Sequence, residues 1–257
     1  MQSHFRQSLY LFVVVCSALM IMERPGQAGS NQLTGSGTTN SEASRTSNPA
    51  TDAARGVATG AVDATLSPYA EELARTIKFD RKVMIMVKEA SAAHIHRLIG
   101  YDENGYQVIA PGIAVPVPDD RSDDILAALR RKLRSRQYMV FIVEMNAGLK
   151  TDVIGILKGT DQYEILRVMQ TNGDDYDISN QDIIDRLKEW EKCCSFDIIG
   201  AENDWVEIEF KSLPKDLRAF AEEVYEFSPD AVDQGWGSID GLIKEISKTH
   251  RLFLWWD

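Results

Sequence analysis

Five large apolar residues follow one another near the end of the chain, in the run Leu252-Phe253-Leu254-Trp255-Trp256. Side chains alternate between the two faces of a β-strand, so this segment has no polar face to present to water. Strands of this kind are covered on both sides, and we therefore predict an interior strand of a sheet. Asp257 follows the run. We expect this charged tip to lie at a rim of the fold, near polar groups such as Gln234.

The residues upstream of this strand alternate between hairpin and helix patterns. Apolar periodicity predicts strands at 82–88, 94–101, 106–110, 113–117, 138–143, 153–157, 196–200 and 205–210. It predicts helices at 69–77, 120–133, 160–169 (capped by Thr160), 215–227 and 238–249. The turn residues Asn104-Gly105 and Asn203 lie between paired strands. Hairpins mixed with helices predict an α+β fold, in which a mixed or largely antiparallel sheet is flanked by helices and closed by the C-terminal strand.

One further helix is predicted after Ser179 and Asp182, which resemble a capping pair. Its apolar stripe consists of Ile183, Leu187, Trp190 and Cys194. Cys193 and Cys194 are adjacent, so they offer no disulfide that could close a long loop. We expect a reduced pair at the end of this helix with Cys194 buried, and a strained vicinal disulfide is the alternative.

The first part of the chain has the pattern of an export signal, followed by a tether. Residues 9–22 form an apolar run of 14, shorter than the roughly 20 residues of a spanning helix. We predict a signal peptide at 1–28, cleaved after Ala28, with an uncleaved membrane anchor as the alternative. Residues 29–66 are rich in Gly, Ser, Thr, Asn and Ala, which is typical of a disordered tether. The folded region then comprises an N-terminal part at 67–159 and a C-terminal part at 160–257, in the periplasm or outside the cell.

The acidic charge of the chain is concentrated in its C-terminal part. The whole chain has a net charge of −11, whereas residues 160–257 hold 23 acidic and 10 basic residues, a net charge of −13. An acidic surface repels polyanions, so we expect no nucleic acid among the partners. It attracts cations, basic ligands or the basic face of a protein. A surface that only keeps the protein soluble is the other interpretation.

Polar residues in the segment 225–235 are candidates for a binding site. Pro229 and Gly235 produce bends in this segment, and polar side chains lie there among apolar ones. Such side chains either form hydrogen bonds with backbone groups of the bend or line a pocket. The candidate binding residues are Asp204, Asp230, Asp233, Gln234 and Asp257.

Two histidines offer a second possible kind of site. His94 and His96 lie on the same face of a predicted strand, a spacing that suits a divalent metal. The sequence specifies no third ligand, so exposed strand histidines are the other interpretation. Apart from this metal, we expect no cofactor.

Residues 130–136 (RRKLRSR) form the basic cluster of the chain. Cations are favoured at the C-terminal end of a helix, which makes a solvated helix end one interpretation. Contact with an anionic lipid or wall polymer is the other.

Several segments of the C-terminal part carry a family resemblance. They are 162–173 (QYEILRVMQTNG), Trp190, 204–207 (DWVE), 224–235 and 254–257 (LWWD). Together they resemble the bacterial family known as domain of unknown function 4253, over about residues 160–257. The Pro-Asp…Asp-Gln-Gly segment and the final Trp-Trp-Asp are the most specific part. The resemblance implies a compact C-terminal domain and assigns no activity or catalytic residue.

These patterns favour a binding protein over an enzyme. The sequence contains no G-x-S-x-G elbow, P-loop, H-E-x-x-H or Rossmann fingerprint. We predict an exported, non-catalytic protein that engages a protein partner, in its most specific form an immunity-type protein that neutralises a basic secreted toxin. The alternative is a metal-assisted hydrolase of the cell envelope that uses His94 and His96.

Overall fold

A computed structural model describes residues 65–146 and 151–256 of the chain. The predicted signal peptide, nearly all of the predicted tether and Asp257 lie outside these residues. Within them, no helix is long and apolar enough to cross a membrane.

The first half of the described chain contains four of the strands. Its elements are α1 (Pro68–Thr76), α2 (Arg81–Ser91), β1 (His96–Tyr101), β2 (Gln107–Val117), α3 (Ser122–Leu133), β3 (Tyr138–Glu144) and β4 (Asp152–Lys158). The second half supplies α4 (Tyr163–Met169), α5 (Asn180–Trp190), β5 (Ser195–Ala201), β6 (Trp205–Ser212), α6 (Leu217–Phe227), α7 (Ile239–Thr249) and β7 (Arg251–Trp255). A π-helical turn, Ala231–Trp236, lies between α6 and α7.

All seven described strands form one sheet in the order β1-β2-β4-β3-β5-β6-β7. Neighbouring strands are antiparallel except β3 and β5, which are parallel and pair at Ile142 and Gly200. The predicted α+β class with a mixed, largely antiparallel sheet is therefore confirmed. Strands from both predicted parts of the folded region lie in this sheet, and the predicted boundary at residue 160 falls between β4 and α4.

The C-terminal strand is buried on both faces, as predicted, but its position in the sheet differs from the prediction. Leu252 through Trp256 are all at most 8% exposed. However, β7 pairs only with β6 and forms an edge of an open sheet. On this edge, a side chain just after α6 binds the Trp255 carbonyl in place of another strand, and the residue after β7 contacts the end of α6. The Ser228 hydroxyl donates to the Trp255 carbonyl at 2.9 Å, and the Trp256 indole donates to the Phe227 carbonyl at 3.0 Å.

The segment 82–88 was predicted as a strand, and this prediction is wrong because the residues lie in helix α2. The Asp80 side chain caps the helix by accepting from the Lys82 N–H at 2.8 Å. Val83, Met84 and Val87 follow a helical period and are fully buried. Residues 83–87 are all apolar, and a continuous apolar run of this length also fits a buried strand, so periodicity alone does not distinguish the two structures.

Other local predictions have mixed outcomes. The hairpin turn is confirmed, since Gly105 has a φ of 76° between β1 and β2. The Ser179–Asp182 capping box is present, and the four residues of the α5 stripe are all at most 7% exposed. Both cysteines are free thiols, with Cys193 exposed and Cys194 buried. Thr160 does not cap α4, because the helix begins at Tyr163, whose N–H is bound by the side chain of Asp161.

The β1–β2 hairpin forms the opposite edge of the sheet and exposes apolar side chains. Ile99 and Ile109 are cross-strand partners, 41% and 66% exposed, and Tyr106 at the base of the turn is 71% exposed. Within the described residues, no strand pairs with the outer side of β1. The two edges of the sheet therefore differ in how they are covered.

Candidate functional site

Three loops of the C-terminal part meet around Trp256, which is 4% exposed. The backbone N–H of Trp256 donates to the carbonyl of Asp204 at 3.1 Å, in the β5–β6 turn. Its indole binds the Phe227 carbonyl at the end of α6. A Cβ atom at Gly173 would lie 2.7 Å from Cγ of Trp256, so this position accepts only glycine without a shift of the ring. Trp256 thus contacts all three loops, including those that hold the predicted binding residues Asp204 and Asp230.

The buried carboxylate of Asp230 accepts hydrogen bonds from two side chains. The Tyr176 hydroxyl donates to Oδ2 of Asp230 at 2.7 Å, and the Gln234 amide donates to Oδ1 at 3.0 Å. Asp230 is 8% exposed, whereas the Tyr176 residue is 38% exposed. Partial burial and the hydrogen bond to Asp230 raise the pKa of Tyr176 to about 12, with further contributions from Asp175 and Asp233. Tyr176 is therefore a neutral hydrogen-bond donor at physiological pH.

A second exposed tyrosine has the same kind of contact. The Tyr225 hydroxyl donates to Oδ2 of Asp233 at 3.3 Å, and Tyr225 is 37% exposed. The π-helical turn presents Asp233 on the exposed side, while its first two residues, Ala231 and Val232, are buried. Single π-helical turns occur frequently at functional sites.

We name this region the tyrosine–aspartate surface. It consists of Asp175, Tyr176, Tyr225, Asp230, Asp233 and Gln234. Asp230, Asp233 and Gln234 are among the binding residues predicted from the sequence, and the structure brings these three together. Neither tyrosine was among these candidates, although Tyr225 is the first residue of the segment 225–235 and lies eight positions from Asp233. Tyr176 contacts Asp230 across 54 positions of the chain, and no local pattern reports such a contact.

Asp204 is exposed and lies beside the carboxyl group of Glu202, which was not among the residues predicted from the sequence. Glu202 accepts hydrogen bonds from the Tyr101 hydroxyl and the Trp205 indole, both at 3.2 Å. Burial and the neighbouring charge of Asp204 raise the pKa of Glu202. Burial and the charge of Glu202 raise the pKa of Tyr101 to about 12. This group joins the β5–β6 turn to β1 and shares no residue with the tyrosine–aspartate surface.

The two candidate metal ligands are both exposed. His96 is the first residue of β1, whereas His94 lies before the strand, contrary to the predicted bounds of 94–101. Among residues 65–146 and 151–256, no group of three histidine, cysteine or acidic side chains could hold a metal ion. The metal-assisted hydrolase stays a prediction, which metal analysis of the purified protein and thermal melts with added divalent ions would test. Asp257 lies outside the described residues.

The fold and these contacts define an α+β protein whose acidic C-terminal part carries an exposed tyrosine–aspartate surface. Residues 153–257, which include that C-terminal part, match the family described as Domain of unknown function (DUF4253). The match runs from β4 to the end of the chain and includes both the loops around Trp256 and the tyrosine–aspartate surface. No curated protein and no solved structure matches the chain.

Proposed function

We propose that the protein is a non-catalytic binding protein and that its tyrosine–aspartate surface engages the basic face of a protein partner. The observation that supports this proposal is the pair of exposed tyrosines, each with its hydroxyl bound to a carboxylate. Tyrosine is enriched at protein interfaces because it combines a large apolar ring with a polar tip. Rings that are already held by a hydrogen bond lose less side-chain freedom when a partner binds.

The charge of the same surface supports a basic partner. Asp175, Asp230 and Asp233 all lie close enough to Tyr176 to influence its pKa. They belong to a part of the chain with a net charge of −13 over residues 160–257. Complementary charge increases the rate at which partners associate and disfavours acidic partners and nucleic acids. Binding of this kind weakens as the salt concentration rises.

The fuller form of the proposal is an exported immunity-type protein that neutralises a basic secreted toxin in the periplasm or outside the cell. Its support is the signal-like pattern of residues 1–28 and the tether-like composition of residues 29–66. A membrane would be involved only through an uncleaved N-terminal segment.

The proposal predicts that the double substitution Tyr176→Ala and Tyr225→Ala weakens binding about 30-fold or more. Aromatic residues at the centre of an interface commonly contribute about 2 kcal/mol or more. The measurement is calorimetric titration of the chain from Gly29 onward with the purified product of an adjacent toxin-like gene, at two salt concentrations.

The matched control is Tyr106→Ala, which removes an exposed tyrosine from the β1–β2 hairpin and should change affinity less than twofold. Equal losses for the control and the double variant would assign binding to another surface. A lack of binding by the unmodified chain would rule out this partner and the immunity-type form of the proposal.

A further inference from the structure

A cavity of about 560 Å³ lies where β3 and β5 separate. The two parallel strands pair at Ile142 and Gly200. The cavity is lined by residues nearer the N-terminal ends of these strands, including Met139 and Ile198. At Ile198, side chains bond the backbone groups that a neighbouring strand would otherwise bond. Its N–H donates to the Gln162 amide oxygen at 2.9 Å, and its carbonyl accepts from Arg130 at 3.4 Å. The backbone here is satisfied without closing the gap between the strands.

Two arginines in the lining are largely buried and already neutralised. Arg130 lies 2.8 Å from Asp197, with its side chain 19% exposed. Arg251 lies 2.8 Å from Asp123 and 3.4 Å from Glu209, with its side chain 15% exposed. Buried guanidinium groups in such ion pairs hold the walls of the cavity in place and offer little charge to a ligand.

Two other arginines at the cavity are exposed and lack this neutralisation. Arg134 lies 3.5 Å from Asp197, its side chain is 72% exposed, and that same carboxylate also pairs with Arg130 and Lys211. Arg131 is exposed and makes no ion pair within the part of the chain that the structure describes. The Asp197 carboxylate is therefore shared by three cations, and Arg131 is a fourth cation near them. The lining as a whole holds four arginines and three carboxylates (Asp123, Asp197 and Glu209), so its excess of positive charge is small and falls at Arg131 and Arg134.

We propose that this cavity binds a small organic anion, with a phosphate or carboxylate head group at Arg131 and Arg134 and an apolar body inside. A guanidinium group binds the oxygens of either head group through two parallel hydrogen bonds. Arg131 and Arg134 are three positions apart at the end of α3, so their charges repel each other and an anion relieves that repulsion.

The lining combines charged and polar groups with apolar side chains that suit the body of such a ligand. Leu126 and Ile165 face the cavity from α3 and α4, and Met139 faces it from β3. Small-molecule sites typically have volumes of about 300–1,000 Å³, mostly apolar walls and a few polar groups that fix orientation. Arg131 and Arg134 lie together on the α3 side of a concave opening, which favours a small ligand over the lipid or polymer contact considered from the sequence.

The test is a calorimetric titration of the full chain with phenyl phosphate, alongside benzoate, inorganic phosphate and benzyl alcohol. We expect phenyl phosphate or benzoate to bind at least about tenfold more tightly than inorganic phosphate or benzyl alcohol, because only these two probes carry both the charge and the ring. The double substitution Arg131→Gln and Arg134→Gln should weaken that binding about tenfold or more. Lys132→Gln, which removes the cation between them and does not line the cavity, should change it less than twofold.

A second variant tests the cavity itself. Ala127 lines the cavity at an exposed helix position, so Ala127→Phe should fill the opening and abolish binding while circular dichroism stays unchanged. Equal binding of phenyl phosphate and inorganic phosphate, or equal losses for the arginine variant and Lys132→Gln, would overturn the proposal. So would binding to phosphatidylglycerol vesicles that depends on the arginines in a chain that binds neither phenyl phosphate nor benzoate. None of these variants touches the tyrosine–aspartate surface, so the two proposals can fail separately.

Discussion

Replacing Trp256 with alanine should lower the free energy of unfolding by about 3–5 kcal/mol, the range for removing a buried tryptophan from a packed core. The ring is buried and packs edge-to-face on Phe227, with ring centres 5.5 Å apart. Its removal opens a cavity beside Gly173 and leaves the Phe227 carbonyl without its indole donor. Deleting residues 255–257 removes both tryptophans and should prevent folding.

Urea denaturation followed by circular dichroism measures this loss. Trp256→Phe should give an intermediate loss, because it retains most of the apolar volume and removes the hydrogen-bond donor. Tyr106→Ala, which removes an aromatic ring that is 71% exposed, should change stability by less than about 0.5 kcal/mol. A Trp256→Ala protein as stable as the unmodified chain would contradict the central position that the structure gives to this residue.

Replacing Arg251 with alanine should lower the free energy of unfolding by a similar amount, about 3–5 kcal/mol, because it removes one partner from a buried ion-pair network. Arg251 lies 2.8 Å from Asp123 and 3.6 Å from Glu207, whose side chain is 5% exposed. Burial opposes the charged form of Arg251, but the carboxylates outweigh it and raise its pKa. A raised pKa stabilises the folded state at every pH below the ordinary pKa of arginine, so the loss should appear throughout the neutral range.

A second substitution distinguishes the ion pair from simple loss of packing. Adding Glu207→Gln to the Arg251→Ala chain removes the excess buried charge and should recover about 1–2 kcal/mol in urea denaturation. Arg218→Ala is the matched control, because Arg218 pairs with Asp240 where both side chains are more than half exposed. Exposed pairs contribute less than about 1 kcal/mol. A loss of less than about 1 kcal/mol for Arg251→Ala, or no recovery in the double variant, would show that the ion-pair network contributes little to the free energy of unfolding.

The sequence predicted the parts of the fold that depend on local patterns. The α5 stripe, the Ser179–Asp182 capping box and the turn at Gly105 all follow from periodicity or from backbone preferences within a few residues. The same kind of pattern failed at 82–88, where a short apolar run fits either a strand or a helix and the Asp80 cap favours the helix. The edge position of β7 depends on which strands pair across the sheet, which no local pattern determines.

The candidate site shows the same limit. Asp230 and Gln234 are four positions apart, so the sequence could group them, and the structure joins them by a hydrogen bond. Tyr176 reaches Asp230 only because the loops meet around Trp256. The arginine-lined cavity is assembled from α3, β3, α4, β5, β6 and β7, and its volume depends on the separation of β3 from β5. Spacing in the sequence carries no information about such a separation.

The unequal edges of the sheet limit how chains of this protein could assemble. Indefinite growth by strand addition needs two available edges on every chain, one to receive a neighbour and one to offer to the next. Within residues 65–146 and 151–256, β1 has no pairing strand on its outer side, whereas the Trp255 carbonyl on the β7 edge already accepts a hydrogen bond from Ser228. Two chains joined along β1 would leave no β1 edge for a third. Strand addition at this edge alone would therefore give a symmetric dimer.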